Sequence, residues 1–152
     1  MGRMYTCPLT GTSVSAAQDI IELQAPDGVM IVVHEVRLSQ EDIAATEFFA
    51  LKMHRGTATG TGGSAGVEVA LGGAGEPAAD GIVELHNTTQ STETSVLHTF
   101  RWNVLTEFLF LPTPDMRPVL TASSANFFIV ELEAAPSGAT NMYGSITWEE
   151  FG

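Results

Sequence analysis

A two-residue alternation of apolar and polar side chains is the feature that most constrains this chain. Successive side chains of a β-strand point to opposite faces, so this pattern predicts strands that are buried on one side. In residues 29–40, for example, one face carries Met30, Val32, Val36 and Leu38. Almost no stretch repeats at the 3.6-residue period of an α-helix. The sequence therefore predicts an all-β fold.

Ten strands are predicted, separated by turns rich in glycine and proline. They cover residues 20–24, 29–40, 47–55, 67–71, 82–87, 95–103, 107–111, 117–121, 127–134 and 142–151. Only residues 38–49 offer a helical alternative, and it amounts to one short turn. Many short strands with such turns are typical of β-sandwiches and jelly rolls. We predict a single-domain, antiparallel, jelly-roll-like β-sandwich.

The strand predicted at residues 47–55 is unusual because both of its faces begin apolar. Phe49 and Leu51 lie on one face, and Phe48 and Ala50 lie on the other. A strand that faces water on one side alternates with polar residues, whereas one that is covered on both sides does not. Both faces of the first half of this strand are therefore predicted to be covered by other parts of the protein or by a partner.

Two segments lack a strand pattern. Residues 1–18 are rich in Thr and Ser and are predicted to be an extended N-terminal arm, which leaves residues 19–152 as the sandwich domain. Residues 56–66 combine glycine, threonine and alanine, a composition typical of flexible loops. This loop is expected to be either mobile or ordered by a neighbouring chain.

The charge of the chain argues against two classes of partner. Eighteen acidic residues and six basic residues give a net charge of -12, and the basic residues are scattered. No basic stripe is present to neutralise phosphates, so we expect no nucleic-acid partner. An acidic surface also disfavours anionic membranes, and no apolar stretch approaches the roughly 20 residues of a membrane span. We expect no membrane partner.

Sequence motifs for catalysis or cofactor binding are weak. The four histidines, at positions 34, 54, 86 and 98, show no close metal-ligand spacing, and the single cysteine, Cys7, lies in the predicted arm. Glu131 and Glu133 share one strand face, which we interpret as a solvated face. We therefore expect no catalytic residues, no cofactor and no protein-bound metal. One alternative stays open, in which a histidine near a three-fold axis supplies three ligands from three chains.

Several segments together resemble a known class of proteins. They are His54-Arg55-Gly56 leading into a Thr/Gly loop, Asn87 to Glu93, Phe108 to Pro114 followed by Arg117, Phe128 to Leu132 with Ala135-Pro136, and Gly144 to Glu150. In this order they resemble small virion structural proteins of tailed bacteriophages, a group that includes the head decoration, or cement, proteins. These segments are strand and turn signatures rather than catalytic signatures.

The resemblance implies a structural function and no enzymatic activity. Proteins of this kind are expected to be made in the host cytoplasm and to bind the outer surface of the capsid as homotrimers. There they bridge subunits of the major capsid protein and stabilise the shell against internal DNA pressure. On this basis the capsid contact is expected in the arm, at Met4, Tyr5 and Leu9. The trimer interface is expected at Phe48 and Phe49, with Pro112 and Pro114 as a second choice.

Three alternatives remain. A tail or baseplate component would use a similar sandwich. A carbohydrate-binding module would need exposed aromatic side chains, for which Trp102, Trp148, Tyr5 and Tyr143 are the candidates. An enzyme with a carboxylate pair would need two acids brought together from different strands.

Overall fold

The computed structural model of the protein describes residues 2–41, 46–73 and 75–152. These ranges contain twelve β-strands and one 3-10 helix, Pro114–Met116. In chain order the strands are β1 (Arg3–Val14), β2 (Gln18–Gln24), β3 (Met30–Glu41), β4 (Phe48–Gly56), β5 (Ser64–Ala65), β6 (Val69–Ala70), β7 (Ile82–Asn87), β8 (Glu93–Asn103), β9 (Phe108–Phe110), β10 (Val119–Leu120), β11 (Phe127–Leu132) and β12 (Thr140–Phe151). The prediction of an all-β chain is confirmed.

The strands form two six-stranded antiparallel sheets, which pack as a sandwich. Sheet A has the order β10-β3-β12-β1-β6, with β9 also paired to β3. Sheet B has the order β5-β7-β2-β11-β4-β8. The predicted turn of helix between β3 and β4 falls largely on residues 42–45, which lie outside the described ranges. No helix within the described ranges is long and apolar enough to cross a membrane.

The main strand pairs are nested: the first strand pairs with the last, and each following strand pairs with one that comes earlier from the end of the chain. Strand β1 pairs with β12, β2 with β11, β3 with both β9 and β10, and β4 with β8. Successive members of this series alternate between sheet A and sheet B. Strand β7 departs from the series, because it extends sheet B on the far side of β2.

The hydrophobic core lies between the sheets and consists of the inward-facing positions of nearly every strand. Its largest fully buried side chains include Trp148, Tyr5 and Phe128. Burying a side chain of this kind contributes on the order of 2 kcal/mol to stability. Tyr5 and Trp148 stack with ring centroids 5.9 Å apart, so β1 and β12 are joined by side chains as well as by backbone hydrogen bonds.

Strand β3 changes the face that it buries part-way along its length. A register shift against β12 places Glu35 opposite Thr147 but Val33 opposite Trp148, which leaves His34 as an extra residue. Before this bulge the odd positions are buried, and after it the even positions Val36 and Leu38 are buried. The predicted inward face is therefore wrong for Met30 and Val32, because a bulge reverses the alternation.

The N-terminal segment is not a free arm. Residues 3–14 form β1, which pairs with β12 on one side and with β6 on the other. Tyr5, Cys7 and Leu9 are buried in the core. The arm prediction is wrong here because alternate threonines and a proline obscure the apolar positions of the strand, whose exposed face is polar. Tyr5 and Leu9, two of the expected capsid contacts, lie inside the sandwich, and Met4 is half-buried.

The glycine-rich segment is held by hydrogen bonds within its own chain. Thr61 and Thr89 form a two-way backbone bridge, with N–O distances of 3.1 and 3.0 Å. The Gly63 amide donates to the side chain of Asn87 at 2.9 Å. Residues 57–63 and 88–92 thus form two linked loops against the edge of sheet B, and we refer to them as the covering loops.

Candidate functional site

The outer face of sheet B carries charged side chains that are buried rather than solvated. Leu51 and Met53 of β4 point into the core, so the alternating residues Lys52 and His54 point outward. On neighbouring strands, Glu131 of β11 and Asp19 of β2 share this outer face. His54 is 1% exposed, Glu131 7% and Asp19 0%. We call Asp19, Lys52, His54 and Glu131 the charged cluster.

Glu131 is the centre of this cluster. Its Oε2 lies 2.9 Å from the Lys52 ammonium and 3.1 Å from Nε2 of His54. Its Oε1 accepts a hydrogen bond of 2.8 Å from the side chain of Gln90, which belongs to a covering loop. Lys52 also lies 2.7 Å from Glu93, at the start of β8. Two acids therefore share one lysine across three strands.

His54 and Asp19 supply the remaining ligand atoms of the cluster. Nδ1 of His54 contacts the carbonyl oxygen of Arg55 at 3.2 Å, and a carbonyl can only accept, so Nδ1 carries a proton. Oδ2 of Asp19 accepts from the Ser91 amide at 2.6 Å, whereas its Oδ1 has no hydrogen-bond partner. Asp19, His54 and Glu131 each offer one ligand atom, and these atoms all lie within 4.8 Å of one another. This is a donor set that can hold a metal ion.

The cluster favours charged forms despite its burial. Burial opposes ionisation of Glu131, but nearby His54 and Lys52 outweigh that effect and lower the pKa of the carboxyl group. Burial also disfavours a charged His54, yet the Glu131 carboxylate and the Arg55 carbonyl raise the pKa of the imidazole. Lys52 loses hydration as well, while Glu93 and Glu131 raise the pKa of its ammonium group. Each charge thus stabilises its neighbours.

A second buried acid anchors the glycine-rich covering loop. The Gly60 amide lies 3.0 and 3.1 Å from the two carboxylate oxygens of Glu22, and the Thr59 hydroxyl donates to the same carboxylate at 2.7 Å. Burial raises the pKa of Glu22, although these hydrogen bonds work in the opposite direction. Added bulk at Gly60 would meet the Thr89 carbonyl and Glu22. This position therefore requires glycine for close approach.

His86, at the end of β7, is buried without a polar partner. It is 5% exposed, neither ring nitrogen is hydrogen-bonded, and its φ of 58° lies in the left-handed region. Burial lowers the pKa of this imidazole to about 4. Its ring borders a cavity of about 260 Å³ that Thr12, Gln18 and Thr88 also line. At neutral pH the ring is therefore uncharged.

The charged cluster can compensate charge and bind a cation. Nucleophilic catalysis requires a hydroxyl or thiol hydrogen-bonded to a base. Among the hydrogen bonds of the described residues, none joins a Ser, Thr or Cys side chain to a histidine. Burial raises the pKa of Cys7 to about 11, so the core thiol is protonated at neutral pH.

The expected trimer-interface residues have different environments. Phe49 lies in the core, 2% exposed, with its ring 5.5 Å from Trp102 in an edge-to-face contact. Phe48, on the opposite face of β4, is 61% exposed. The prediction that both faces are covered therefore fails for Phe48 within a single chain. Pro112 is half-buried, and Pro114 is exposed in the 3-10 helix.

An open strand edge lies next to Phe48. Among the described residues, strand β8 is an edge of sheet B that pairs with β4, and Phe48 pairs in register with Asn103. The pairing is unbroken from there to His98 and is interrupted by register shifts toward Glu93. Charged residues, above all lysine, together with proline and β-bulges protect edge strands. The bulges of β8 lie toward Glu93, so its regular stretch from His98 to Asn103, which contains Arg101 but no lysine or proline, is the less protected part. We call β8 with exposed Phe48 and Leu105 the β8 edge.

A second group of exposed apolar side chains lies in β9 and in the segment that follows it. Leu109, Leu111 and Met116 are 47%, 62% and 61% exposed, respectively. They flank the segment that contains Pro112 and Pro114. Exposed large apolar residues that cluster along one stretch of chain are typical of protein-binding surfaces.

The candidate aromatic residues do not form an exposed platform. Trp102, Trp148 and Tyr5 are buried in the core. Tyr143 is 39% exposed, and its hydroxyl donates to Glu41 at 2.8 Å. Three of the four side chains are therefore unable to stack on a sugar ring in this structure.

Comparison with protein-family models, with curated proteins and with solved structures finds no match.

The sequence interpretation missed the charged cluster. Glu131 was predicted to be solvated together with Glu133, but only Glu133 is exposed. A signal was present, because Lys52 is the one lysine of the chain and lies two residues from His54 on a strand whose other face carries Phe49, Leu51 and Met53. The sequence does not show where the covering loops lie. These loops bury part of the outer face of sheet B, including Glu131 and His54.

Proposed function

We propose that the chain is a structural virion protein that binds the outer surface of a phage capsid as a homotrimer. There it bridges subunits of the major capsid protein and stabilises the shell. The observation that carries this proposal is the β8 edge, where unpaired backbone groups adjoin an exposed phenylalanine. Such an edge is suited to pairing with another chain.

We further infer that the sandwich is a jelly roll. A jelly roll contains eight strands in two sheets with Greek-key connections. The supporting observation is the nested pairing of β1 with β12, β2 with β11, β3 with β9 and β4 with β8, which is the pattern of one long hairpin rolled into two sheets. Strands β5, β6, β7 and β10 are then additions to the eight.

A three-fold ring requires two different surfaces on each copy, because its contacts are heterologous. The β8 edge with Phe48 and Leu105 supplies one surface. The exposed side chains Leu111 and Met116, beside Pro112, supply the other. In this arrangement Phe48 has the interface role expected from the sequence, whereas buried Phe49 supports it from the core.

The acidic charge of the chain is consistent with an external position on the shell. A net charge of -12 repels nucleic acid, so affinity for the shell has to come from apolar contacts and strand pairing. Three copies held together would also bind through three sites at once, and avidity multiplies a weak individual contact. Salt should therefore weaken the attachment only slightly.

The test is to locate the chain in purified particles of the phage that encodes it. Heads and tails are separated, analysed by mass spectrometry and labelled with gold-conjugated antibody. The proposal predicts that the chain is found on intact heads, on the outer surface and in multiples of three copies. Finding it only on tails or baseplates would overturn head decoration in favour of the other virion location. Its absence from particles would overturn a structural virion function.

A further inference from the structure

We propose that Asp19, His54 and Glu131 form a binding site for one divalent transition-metal ion, with Zn²⁺ as the representative. This goes beyond the proposed structural function and differs from the sequence-based expectation of no metal. The three residues lie on the adjacent strands β2, β4 and β11, and their ligand atoms lie within 4.8 Å of one another. Ligand atoms around tetrahedral Zn²⁺ are roughly 3.3 Å apart. Side-chain rotations that move each ligand atom by about 1 Å would therefore bring the three atoms to this separation.

One buried atom at this place lacks a partner. Oδ1 of Asp19 is shielded from solvent and accepts no hydrogen bond, whereas buried Nε2 of His54 has Oε2 of Glu131 as its ion-pair partner at 3.1 Å. Buried polar atoms are almost always satisfied, because an unpaired one loses its hydration without compensation. Asp19 is fully buried, and its other oxygen already accepts from Ser91. An unpaired carboxylate oxygen in a buried donor set points to a cation-binding site.

The orientation of His54 is that of a metal ligand. Its Nδ1–H donates to the Arg55 carbonyl oxygen, which is the contact that commonly fixes ligating histidines. When the ring is neutral, its lone pair is on Nε2. Nε2 lies 3.1 Å from Oε2 of Glu131. These two atoms need a positive centre between them, which is a proton in the charged imidazole and the metal ion in the bound form.

The type of donor selects the type of ion. One imidazole nitrogen with two carboxylate oxygens suits Zn²⁺ and related first-row ions, whereas Mg²⁺ and Ca²⁺ prefer oxygen ligands alone. Lys52 also contacts Glu131, but it has a second partner in Glu93 at 2.7 Å. The lysine can therefore stay paired with Glu93 while Glu131 turns toward the ion. The bound ion would link three strands under the covering loops.

The test is titration of the full-length, chelator-treated protein with Zn²⁺, and with Mg²⁺ in parallel, by calorimetry and thermal unfolding. We expect one Zn²⁺ per chain and no measurable Mg²⁺ binding. At a Zn²⁺ concentration 100 times Kd, the melting temperature should rise by on the order of 5–10 °C. Bound Co²⁺ should give the visible absorption bands of a nitrogen- and oxygen-ligated ion.

The key variant is Asp19→Asn, because asparagine still offers an oxygen to the Ser91 amide but removes the charged ligand. It should weaken Zn²⁺ binding at least about tenfold. The matched control is Glu149→Gln, since Glu149 lies 3.1 Å from Nε2 of His34 in a more exposed pair that has no third ligand. This control should bind Zn²⁺ like the unaltered protein.

His54→Gln provides an independent second variant and should also lose Zn²⁺ binding. The melting temperature of each variant in chelator shows whether it has folded. The proposal is overturned if the folded, unaltered protein takes up no Zn²⁺. It is equally overturned if folded Asp19→Asn and His54→Gln both bind Zn²⁺ as tightly as the unaltered chain, or if Glu149→Gln alone abolishes binding.

Discussion

The Lys52 ammonium and the Glu131 carboxylate lie 2.9 Å apart on the outer face of sheet B, beneath loops that exclude most of the solvent. Removing one partner of a buried pair costs about 3–5 kcal/mol when the other charge is left unpaired. Without the Glu131 charge, Lys52 keeps Glu93 at 2.7 Å, but His54 loses its ion-pair partner, so the expected cost is lower. We predict that Glu131→Gln lowers the free energy of unfolding by about 2 kcal/mol. Urea denaturation at neutral pH measures this directly.

A surface pair provides the control for that prediction. Arg37 and Glu35 lie 2.6 Å apart, yet the Arg37 side chain is 44% exposed. Exposed ion pairs contribute less than about 1 kcal/mol. Glu35→Gln should therefore change stability only slightly. Equal losses for Glu35→Gln and Glu131→Gln would show that the buried cluster has no special role.

His86 should make the protein less stable in mild acid. The folded imidazole has a pKa of about 4 because it is buried, whereas the unfolded one has the ordinary value of 6.5. Between these values the unfolded chain binds a proton that the folded chain excludes. The contribution of His86 is therefore complete above pH 6.5 and is lost as the pH falls toward 4. Allowing for solvent screening, the loss is about 1–2 kcal/mol.

The variant His86→Asn tests this prediction, because asparagine tolerates the left-handed backbone and does not titrate. Its stability should fall less steeply than that of the unaltered protein between pH 6.5 and 4. Denaturant unfolding at several pH values gives both curves. If the two curves run parallel, burial of His86 does not control the acid sensitivity.

Close packing at Gly60 should make this position intolerant of even one methyl group. A Cβ here would overlap the Thr89 carbonyl and the Glu22 carboxylate. We predict that Gly60→Ala costs about 1–3 kcal/mol and loosens the covering loops. Gly138→Ala is the control, because nothing lies within 4 Å of a Cβ there. Amide hydrogen exchange of residues 57–63 should rise only in Gly60→Ala, and unchanged exchange would contradict the prediction.

Substitutions of the adjacent residues Phe48 and Phe49 should affect different properties, namely self-association at Phe48 and folding stability at Phe49. Phe49 is buried against Trp102, so Phe49→Ala should cost about 3–5 kcal/mol of stability. Phe48 is exposed, so Phe48→Ser should change the stability of one chain by less than about 0.5 kcal/mol while it weakens self-association. Thermal unfolding and sedimentation measure the two effects. Loss of stability without a change in mass for Phe48→Ser would argue against an interface there.

The sequence predicted the fold class because alternation is a local property of each strand. Residues 82–87 were predicted as a strand and form β7 with the same bounds. The inward face of β3 was predicted correctly only after His34. A bulge depends on the register of the partner strand β12, which the sequence of β3 does not contain.

Contacts between residues far apart in the chain could not be predicted from the apolar and polar pattern of each segment. Strand β1 was interpreted as an arm because its partners, β12 and β6, lie far along the chain. Glu131 was interpreted as solvated because the side chain of Gln90, 41 residues away, is needed to cover it. Burial of a polar face depends on which loops fold over it, and this is a tertiary property.

The most direct test of the account is the solution mass of the purified protein, measured by light scattering at low and high salt. The account predicts a stable particle of three times the 16.1 kDa chain mass that persists in high salt, because apolar contacts at the β8 edge join the copies. Phe48→Ser should shift this mass toward that of one chain. A single-chain mass for the unaltered protein at every concentration and salt level would contradict the account.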